Sequence, residues 1–362
     1  MPEIIGPGKL VETTMAPGEA ILSHLRHFTK PVISRDILIS RYKRSKAQAK
    51  KDSINISAHV KQALEYHESS KKCSKQIKPV LQYYCYLNLA VAVIIAYRPM
   101  NYDGYRSHGV EDKTHGISNL NMSSPVIQVK KGAIPLIHSI LSDEAINKKV
   151  FRLNEIIGAI PLLSYEIEAA FKKEIHVIKI SDRVIQDATK RTWSSELTFT
   201  TQILSNEKAI GVQKTKLQKA IPILENMYNI LVDTNSKIVY QTKQTWTTEG
   251  KAKINHNKNC AKIINFGGQL LVEDANLGYR SIYQWRYIKG KPLIPTITST
   301  LLLSFVFATI ARYRPILLEK IKESRYNLIL DVFINETDGY IIPAFRNLLY
   351  REELAVMNRN LV

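Results

Sequence analysis

The sequence predicts an α+β fold in which helical N- and C-terminal portions surround a central antiparallel β-rich region. Three observations support this fold class. Residues 77–98 form an apolar run of helical length. Residues 174–292 contain short β-branched or aromatic runs separated by Gly, Asn and Asp, which are typical of strands and turns. From residue 293 onward the pattern becomes helical again up to the C-terminus.

The N-terminal elements are predicted from turn residues and polarity. Residues 1–20 contain several Pro and Gly with little periodicity, so they predict an extended segment. Residues 20–70 are polar and basic with a helical tendency. The apolar helix at 77–98 follows, because Pro79 suits the first turn of a helix and Pro99 ends it.

The remaining elements follow in chain order. Residues 99–132 are rich in Asn, Asp, Gly and Ser and predict a long loop, which in a compact protein is more often functional or disordered than without a role. Residues 135–172 predict short helices, and a helix near Lys216–Ile230 interrupts the β-rich region after them. These patterns divide the chain into a basic N-terminal segment (1–55), a helical portion (56–172), a β-rich middle region (173–292) and a C-terminal helical portion (293–362) that packs on the first.

The composition and the missing motifs argue against several classes of protein. Cys73, Cys85 and Cys260 have no paired spacing that would build a zinc knuckle or a disulfide framework, which favours a reducing, cytoplasmic setting. The apolar runs Leu87–Tyr97 and Leu301–Ala311 are far shorter than the ~20 residues of a membrane-spanning helix. No GxxxxGKS/T, GxSxG or HExxH motif is present, so NTP hydrolysis, ester hydrolysis and zinc proteolysis are unsupported.

The net charge is the strongest clue to a partner. A total of 51 Lys and Arg against 32 Asp and Glu gives a formal charge of +19. This surplus favours a polyanion, RNA or single-stranded DNA before an anionic membrane surface. An indifferent basic surface and an acidic protein partner are the alternatives. The surplus is concentrated in residues 26–78, whose centre supplies the candidate phosphate contacts Arg41, Lys43, Arg44, Lys46, Lys50 and Lys51.

One stretch of the chain resembles a known family. The residues that carry the resemblance are Ile77-Lys78-Pro79, Tyr83-Tyr84, Leu87-Asn88-Leu89-Ala90 and His108-Gly109-Val110, which are similar to the core signature of the prokaryotic YaaC-like proteins. Residues 293–350 resemble the closing helices of that family more loosely. The family is in turn similar to the HEPN superfamily of helical domains. The resemblance therefore implies a HEPN-like helical core, built from residues 56–172 and the C-terminal portion, in a group whose members often act on RNA as toxins or antiviral-defence components.

The loop around His108 is the candidate catalytic site that this resemblance implies. HEPN ribonucleases use an Arg followed after four to six residues by a His, so that guanidinium and imidazole meet at one phosphodiester. Here Arg98 precedes His108 by nine intervening residues and Arg106 by one, so the usual spacing is not present. Arg98, Arg106 and His108 are the candidates for a metal-independent ribonuclease, and a structural turn at His108 is the alternative. The acidic residues and histidines of this loop fit no metal-ligand spacing, so no metal or cofactor is expected.

A second candidate nucleic-acid surface lies in the β-rich region. Tyr283, Trp285 and Tyr287 alternate with polar residues, so on a strand their rings share one face. Together with Arg286 they have the composition of a surface that holds single strands by stacking. Burial of the same rings against helices is the alternative.

These observations predict a nucleic-acid-binding component of a prokaryotic defence or toxin-like system, with RNA cleavage left open. The alternative is a non-catalytic partner subunit that docks an acidic protein or positions nucleic acid for a separate enzyme. A third interpretation is an enzyme that acts on a nucleotide or a small phosphorylated ligand in the His108 loop.

Overall fold

The computed structural model combines helices with small sheets, as the sequence predicts for a mixed fold. It describes residues 6–13, 15–98, 105, 107–142, 145–172, 177–202, 227–234, 237–252, 255, 282–286 and 294–358. Two compact units are present. The first comprises Met1–Ile157 and Ile297–Val362, and the second comprises Gly158–Thr296.

The helices of the described residues follow one another in chain order. They are α1 (Pro17–His27), α2 (Pro31–Tyr42), α3 (Lys46–Lys72), α4 (Lys78–Tyr97), α5 (Ala133–Leu141), α6 (Leu153–Ile157), α7 (Ser164–Phe171), α8 (Thr296–Tyr313), α9 (Pro315–Lys322), α10 (Tyr326–Glu336) and α11 (Asp338–Tyr350). A 3₁₀ turn at Pro161–Leu163 precedes α7.

The strands form three sheets. They are β1 (Gly6–Thr13), β2 (Val110–Asp112), β3 (Pro125–Val129), β4 (Val150–Arg152), β5 (Val177–Asp187), β6 (Thr192–Gln202), β7 (Tyr228–Thr234), β8 (Lys237–Thr242), β9 (Ile282–Arg286) and β10 (Glu352–Asn358). In the first unit β1 and β10 pair in parallel, and β2-β3-β4 form a three-stranded antiparallel sheet. In the second unit an antiparallel sheet has the strand order β7-β8-β6-β5-β9.

Helix α4 is the centre of the first unit. It begins with Pro79 in its first turn, and almost every residue from Tyr83 to Ala96 is buried, with α3, α5 and α11 packed around it. Each fully buried Val, Leu or Ile side chain contributes about 1.5–3 kcal/mol relative to an exposed one, so this helix supplies much of the apolar stabilisation of the unit. Helices α4 and α8 are also long and apolar enough to cross a membrane, but 72% and 67% of their most apolar windows are buried inside the protein, as expected for core helices.

Several predictions about individual elements are confirmed and others are wrong. The apolar helix at 77–98 is present as α4, and β5, β6, β8 and β9 lie in the predicted β-rich region. The β-branched runs of that region at 261–266 and 269–274 lie outside the described residues. The loop predicted at 99–132 contains β2 and β3, because Val126, Ile127 and Val129 bury a short β-branched run between turn residues.

Three further predictions are wrong because strands are present where the local sequence pattern did not indicate them. Residues 228–230 lie in strand β7 and not in the helix predicted near Lys216–Ile230, whose residues 216–226 lie outside the described ranges. Val150–Arg152 is a strand between the short helices. The C-terminal portion does not stay helical, since β10 pairs with β1 from the opposite end of the chain.

Two glycines in direct contact join the loop before β2 to the start of α5. Gly109 has a φ of +79° and Gly132 a φ of +153°, a region that favours glycine. A Cβ atom added at Gly132 would lie 2.4 Å from the backbone nitrogen of Gly109. At this contact the N–H groups of Ala133 and Ile134 donate to the carbonyls of Ser107 and His108, at 2.9 and 3.1 Å. The first turn of α5 therefore holds the loop that carries His108.

A largely buried carboxylate joins three helices of the same unit. Asp338, the first residue of α11, accepts hydrogen bonds from Tyr86 Oη and from Gln82 Nε2, the latter at 3.2 Å. His67 Nδ1 of α3 lies 3.2 Å from the other carboxylate oxygen. Burial raises the pKa of Asp338, but the contacts with His67 and Tyr86 outweigh it, so the pKa lies below its ordinary value of 3.8.

Replacing this carboxylate is expected to destabilise the first unit. In Asp338→Asn, Tyr86 and Gln82 lose a charged acceptor, so we expect the free energy of unfolding to fall by roughly 1–3 kcal/mol at neutral pH. Because the folded pKa lies below the unfolded value of 3.8, the contribution of the carboxylate is fully present above that value and is lost as the pH falls through the folded pKa. Urea unfolding of both proteins at neutral and acidic pH should show the difference shrinking as the solution is acidified.

Asp331→Asn is the matched control for this substitution. Asp331 pairs with Lys75 at 3.1 Å on the surface of α10, where a single ion pair contributes about 0–1 kcal/mol. Equal losses in the two variants would contradict a special role for Asp338.

The glycine contact gives a second stability prediction. Gly132→Ala places a methyl group against the backbone of Gly109, so we expect the free energy of unfolding to fall by roughly 2–4 kcal/mol. Gly339→Ala is the control, because a Cβ atom there meets no heavy atom within 4 Å and alanine favours a helix by about 1 kcal/mol over glycine. Urea denaturation compares the two variants, and a tolerated Gly132→Ala would show that the contact does not constrain the loop.

Candidate functional site

A cleft beside His108 is the candidate functional site, and it lies wholly within the first unit. Its volume is about 440 Å³, which is within the range of small-ligand sites. The cleft is lined by Tyr83 of α4, by Ser107, His108, Gly109, Val110 and Asp112, by Lys130 and Lys131 after β3, and by Phe305, Ala308, Thr309, Arg312 and Tyr313 of α8. We call it the His108 cleft.

The imidazole of His108 is held by aromatic rings. Its Nδ1 is hydrogen-bonded to the hydroxyl of Tyr83, and the two rings stack with centroids 5.4 Å apart and an interplanar angle of 20°. Tyr84 and Phe305 meet the imidazole edge to face, with centroids 6.3 and 6.2 Å away. Helices α4 and α8 therefore fix the ring, whereas the turn of α5 fixes its backbone.

The protonation states of this pair follow from burial and from a nearby cation. Burial lowers the pKa of His108 below its ordinary 6.5, and the positive charge of Arg312 lowers it further. Burial also raises the pKa of Tyr83 far above its ordinary value. At neutral pH the cleft therefore contains a neutral imidazole and a protonated phenol.

Arg312 is the guanidinium that shares the cleft with His108. It stands at the exposed end of α8, donates to the hydroxyl of Tyr84 at 2.8 Å, and lies 4.8 Å from the ring centroid of Tyr313. This residue was not among the candidates predicted from the sequence. The available signal was a single arginine in the last turn of an apolar helix, but nothing local indicates that this helix end meets a loop some 200 residues earlier.

The charges around the cleft leave a positive surplus. Glu111 binds Lys113 and Lys130, with oxygen–nitrogen distances of 2.6 and 2.9 Å. These hydrogen bonds lower the pKa of Glu111 to about 2. Within the described ranges, no carboxylate forms an ion pair with Arg312 or with Lys131.

Asp112, the acidic residue that lines the cleft, is neutralised by a different arginine. Arg314 donates to Asp112 Oδ2 at 2.6 Å and also to Thr114 Oγ1. Glu111 and Asp112 are therefore both paired with cations. The part of the chain that the structure describes contains no group of three or more His, Cys, Asp or Glu that could hold a metal ion.

The sequence-predicted Arg98 is not among the residues that line the cleft. It caps the C-terminal end of α4 and donates to the carbonyl of Ser139 at 3.3 Å. Tyr83, which holds His108, lies near the opposite end of α4, roughly 20 Å away at 1.5 Å per residue. Arg106 lies outside the described residues.

The basic N-terminal residues divide into two groups. The first makes structural hydrogen bonds: Arg41 donates to the carbonyl of Tyr350 at 2.6 Å, and Arg44 to that of Ala96 at 2.9 Å. Lys43 is exposed and donates to the carbonyl of Ser40 at the C-terminal end of α2. The second group is Lys46, Lys50 and Lys51, exposed in the first turns of α3. We call these three residues the α3 lysines.

The aromatic candidates of the middle region lie on an edge strand. Tyr283, Trp285 and Arg286 are in β9, where they pair with Ile180, Ile178 and Val177 of β5, respectively. Tyr287 lies outside the described residues. The sheet thus carries Tyr283, Trp285 and Arg286 on a strand of the second unit.

Comparison with known proteins identifies the chain at the level of a family. No curated protein and no solved structure matches it. The model of the YaaC-like proteins matches residues 26–349, a range that contains every residue of the His108 cleft. This chain belongs to the YaaC-like protein family.

Proposed function

We propose that this protein binds single-stranded nucleic acid, RNA in the first place, as a component of a prokaryotic defence or toxin-like system. In this proposal the His108 cleft takes one nucleotide together with its phosphate. The observation that carries the proposal is the combination in one cleft of Arg312 and Lys131, which no described carboxylate neutralises, with an aromatic lining.

The chemistry of the cleft suits a phosphate attached to a flat, apolar group. Arg312 and Lys131 offer donors and positive charge to phosphate oxygens. The ring of Tyr313 is 65% exposed, and an exposed aromatic side chain that stacks on a base contributes about 1–3 kcal/mol. A duplex hides its bases in the stack, so a site of this size favours a single strand.

The α3 lysines supply a second phosphate contact in this proposal. Arg44 holds the segment before α3 against Ala96, near the C-terminal end of α4. Tyr83 is thirteen residues earlier on α4, so the points at which the two sites meet that helix, Ala96 and Tyr83, are roughly 20 Å apart along it. At 3.4 Å per nucleotide, the rise of stacked bases in one strand of a DNA duplex, this distance corresponds to about six stacked nucleotides, and an extended strand spans it with fewer.

The biological setting of the proposal comes from the family. YaaC-like proteins resemble the HEPN superfamily. In the first unit α11 packs on α1 and α4, and Phe305 of α8 contacts Tyr83 of α4, which supports a HEPN-like helical core. Fold resemblance does not determine function, so the defence or toxin-like role rests on this analogy, whereas binding rests on the cleft.

RNA cleavage is a second candidate function, and one observation favours it. HEPN ribonucleases require an arginine and a histidine at one phosphodiester, and Arg312 and His108 share the cleft although they are far apart in the sequence. In this version His108 would move the proton of a 2′-hydroxyl and Arg312 would stabilise the charge on the phosphate.

Binding and cleavage are separated by one experiment. End-labelled single-stranded RNA is titrated with wild type, His108→Ala, Arg312→Ala and Arg98→Ala, and each mixture is run on native and denaturing gels. We expect a salt-sensitive shift by wild type, a weaker shift by Arg312→Ala, and no change in Arg98→Ala, the matched control outside the cleft.

The outcomes assign the function directly. A shift without cutting supports a binding protein, whereas cutting that is lost in His108→Ala and Arg312→Ala supports a ribonuclease. Absence of both shift and cutting overturns the proposal and favours the partner subunit that docks an acidic protein, which co-purification with acidic proteins would then test.

The α3 lysines are tested by charge reversal and by oligonucleotide length. For Lys46→Glu, Lys50→Glu and Lys51→Glu combined, we expect the slope of log K against log salt to become shallower by about 2, at 0.7 per phosphate contact on a single strand. Wild-type affinity should rise with length up to about six nucleotides and more slowly beyond, and the triple variant should lose this dependence. The control is a triple variant with the same change of charge at exposed lysines of the second unit, Lys190→Glu, Lys243→Glu and Lys251→Glu. If both triple variants changed the salt slope and the length dependence equally, the α3 lysines would not be a specific site.

A further inference from the structure

Among the residues that the structure describes, the hydroxyl of Tyr83 has one hydrogen-bond partner, Nδ1 of His108. Tyr83 is only 2% exposed, and burial keeps its hydroxyl protonated. A buried O–H group that donates to nothing is costly, because it loses its bonds to water without replacement. The Tyr83 hydroxyl is therefore the donor of this bond, and Nδ1 of His108 is the acceptor.

The direction of this bond determines where the imidazole carries its proton. In a neutral imidazole one nitrogen is an acceptor and the other bears the hydrogen. Because Nδ1 accepts from Tyr83, the hydrogen of His108 is on Nε2. Among the described residues, no group is hydrogen-bonded to Nε2, and the imidazole lines the cleft.

We infer that Tyr83 is a positioning residue that holds His108 as the Nε2–H tautomer, so that the imidazole presents a hydrogen-bond donor to a ligand in the cleft. The ligand is an anion with acceptor oxygens, such as a phosphate diester. The ligand class rests on the proposed function, whereas the tautomer rests on the Tyr83–His108 bond alone. The cleft thus presents three hydrogen-bond donors, which are Nε2–H of His108, the guanidinium of Arg312 and the ammonium of Lys131. These donors match the oxygens of a phosphate diester, which can only accept hydrogen bonds.

The surrounding contacts make this orientation hard to change. Rotation of the imidazole by half a turn would break the bond to Tyr83, and its stacking on Tyr83 fixes the plane of the ring. The backbone of His108 is held by the N–H group of Ile134. Nε2–H cannot accept a proton, so in this tautomer His108 donates to a ligand through Nε2, and RNA cleavage with His108 as the general base would require the other tautomer.

The tautomer is measured directly on the whole chain. Uniformly ¹⁵N-labelled protein is examined above pH 7 by long-range ¹H–¹⁵N correlation of the histidine rings, and the His108 signals are assigned from their disappearance in His108→Gln. We expect a nitrogen shift typical of an unprotonated Nδ1 and one typical of a protonated Nε2. In Tyr83→Phe, which keeps the stacked ring and removes only the hydroxyl, both shifts should move towards the average of the two tautomers.

Two results would overturn the inference. A protonated Nδ1 in wild type reverses the direction of the bond, and an unchanged pattern in folded Tyr83→Phe shows that Tyr83 does not hold the tautomer. If Tyr83→Phe does not fold, the wild-type spectrum still decides which nitrogen carries the hydrogen.

The donor role is tested separately with amide substitutions and single-stranded RNA. The amide nitrogen of glutamine reaches the place of Nε2, whereas that of asparagine reaches only the place of Nδ1. We expect His108→Gln to keep affinity within about threefold of wild type, and His108→Asn to lose about tenfold or more. Equal losses would overturn the donor role. A wild type that binds no RNA contradicts the proposed function instead, and the spectrum then decides the tautomer by itself.

Discussion

The contact between the backbones of Gly109 and Gly132 is the constraint on which the geometry of the cleft depends. It brings the loop before β2 against the first turn of α5, where two helical N–H groups find carbonyl partners. Free N–H groups at a helix start normally need a cap, and no side chain caps this helix. The loop of Ser107 and His108 therefore has two roles: its carbonyls accept hydrogen bonds from the first N–H groups of α5, and its backbone fixes the position of the imidazole.

The helices behind the cleft are held together by apolar packing and by one largely buried carboxylate. Apolar packing supplies most of the stabilisation around α4, but packing alone is not directional. Asp338 adds direction, because its two oxygens contact residues of α3 and α4 that must be in register to reach it. Tyr83 and Tyr86 are one helical turn apart on α4, so the register that serves the buried carboxylate also determines where the hydroxyl that binds His108 lies.

The sequence was informative where the signal is local. Helix α4 could be predicted because its apolar run is bounded by proline at both ends, and His108 was a candidate because it stands in a polar loop beside that helix. Arg312 was not found, since its closeness to His108 depends on the packing of α8 against the N-terminal helices. The pairing of β1 with β10 escaped for the same reason. Arg98 was a reasonable candidate from its position in the sequence, yet fifteen residues of helix separate it from Tyr83.

The division of the first unit between two distant segments has a consequence for synthesis of the protein. Residues 158–296 form the second unit and leave the ribosome before α8 and α11 exist. During that interval α4 exposes the apolar face that α11 later covers, and Tyr83 and His108 lack Phe305 and Arg312. Domains generally fold as units during translation, so the cleft is completed only after α8 has been synthesised. A nascent chain that ends before α8 therefore has only the part of the cleft lining that α4 and the residues around β2 and β3 supply.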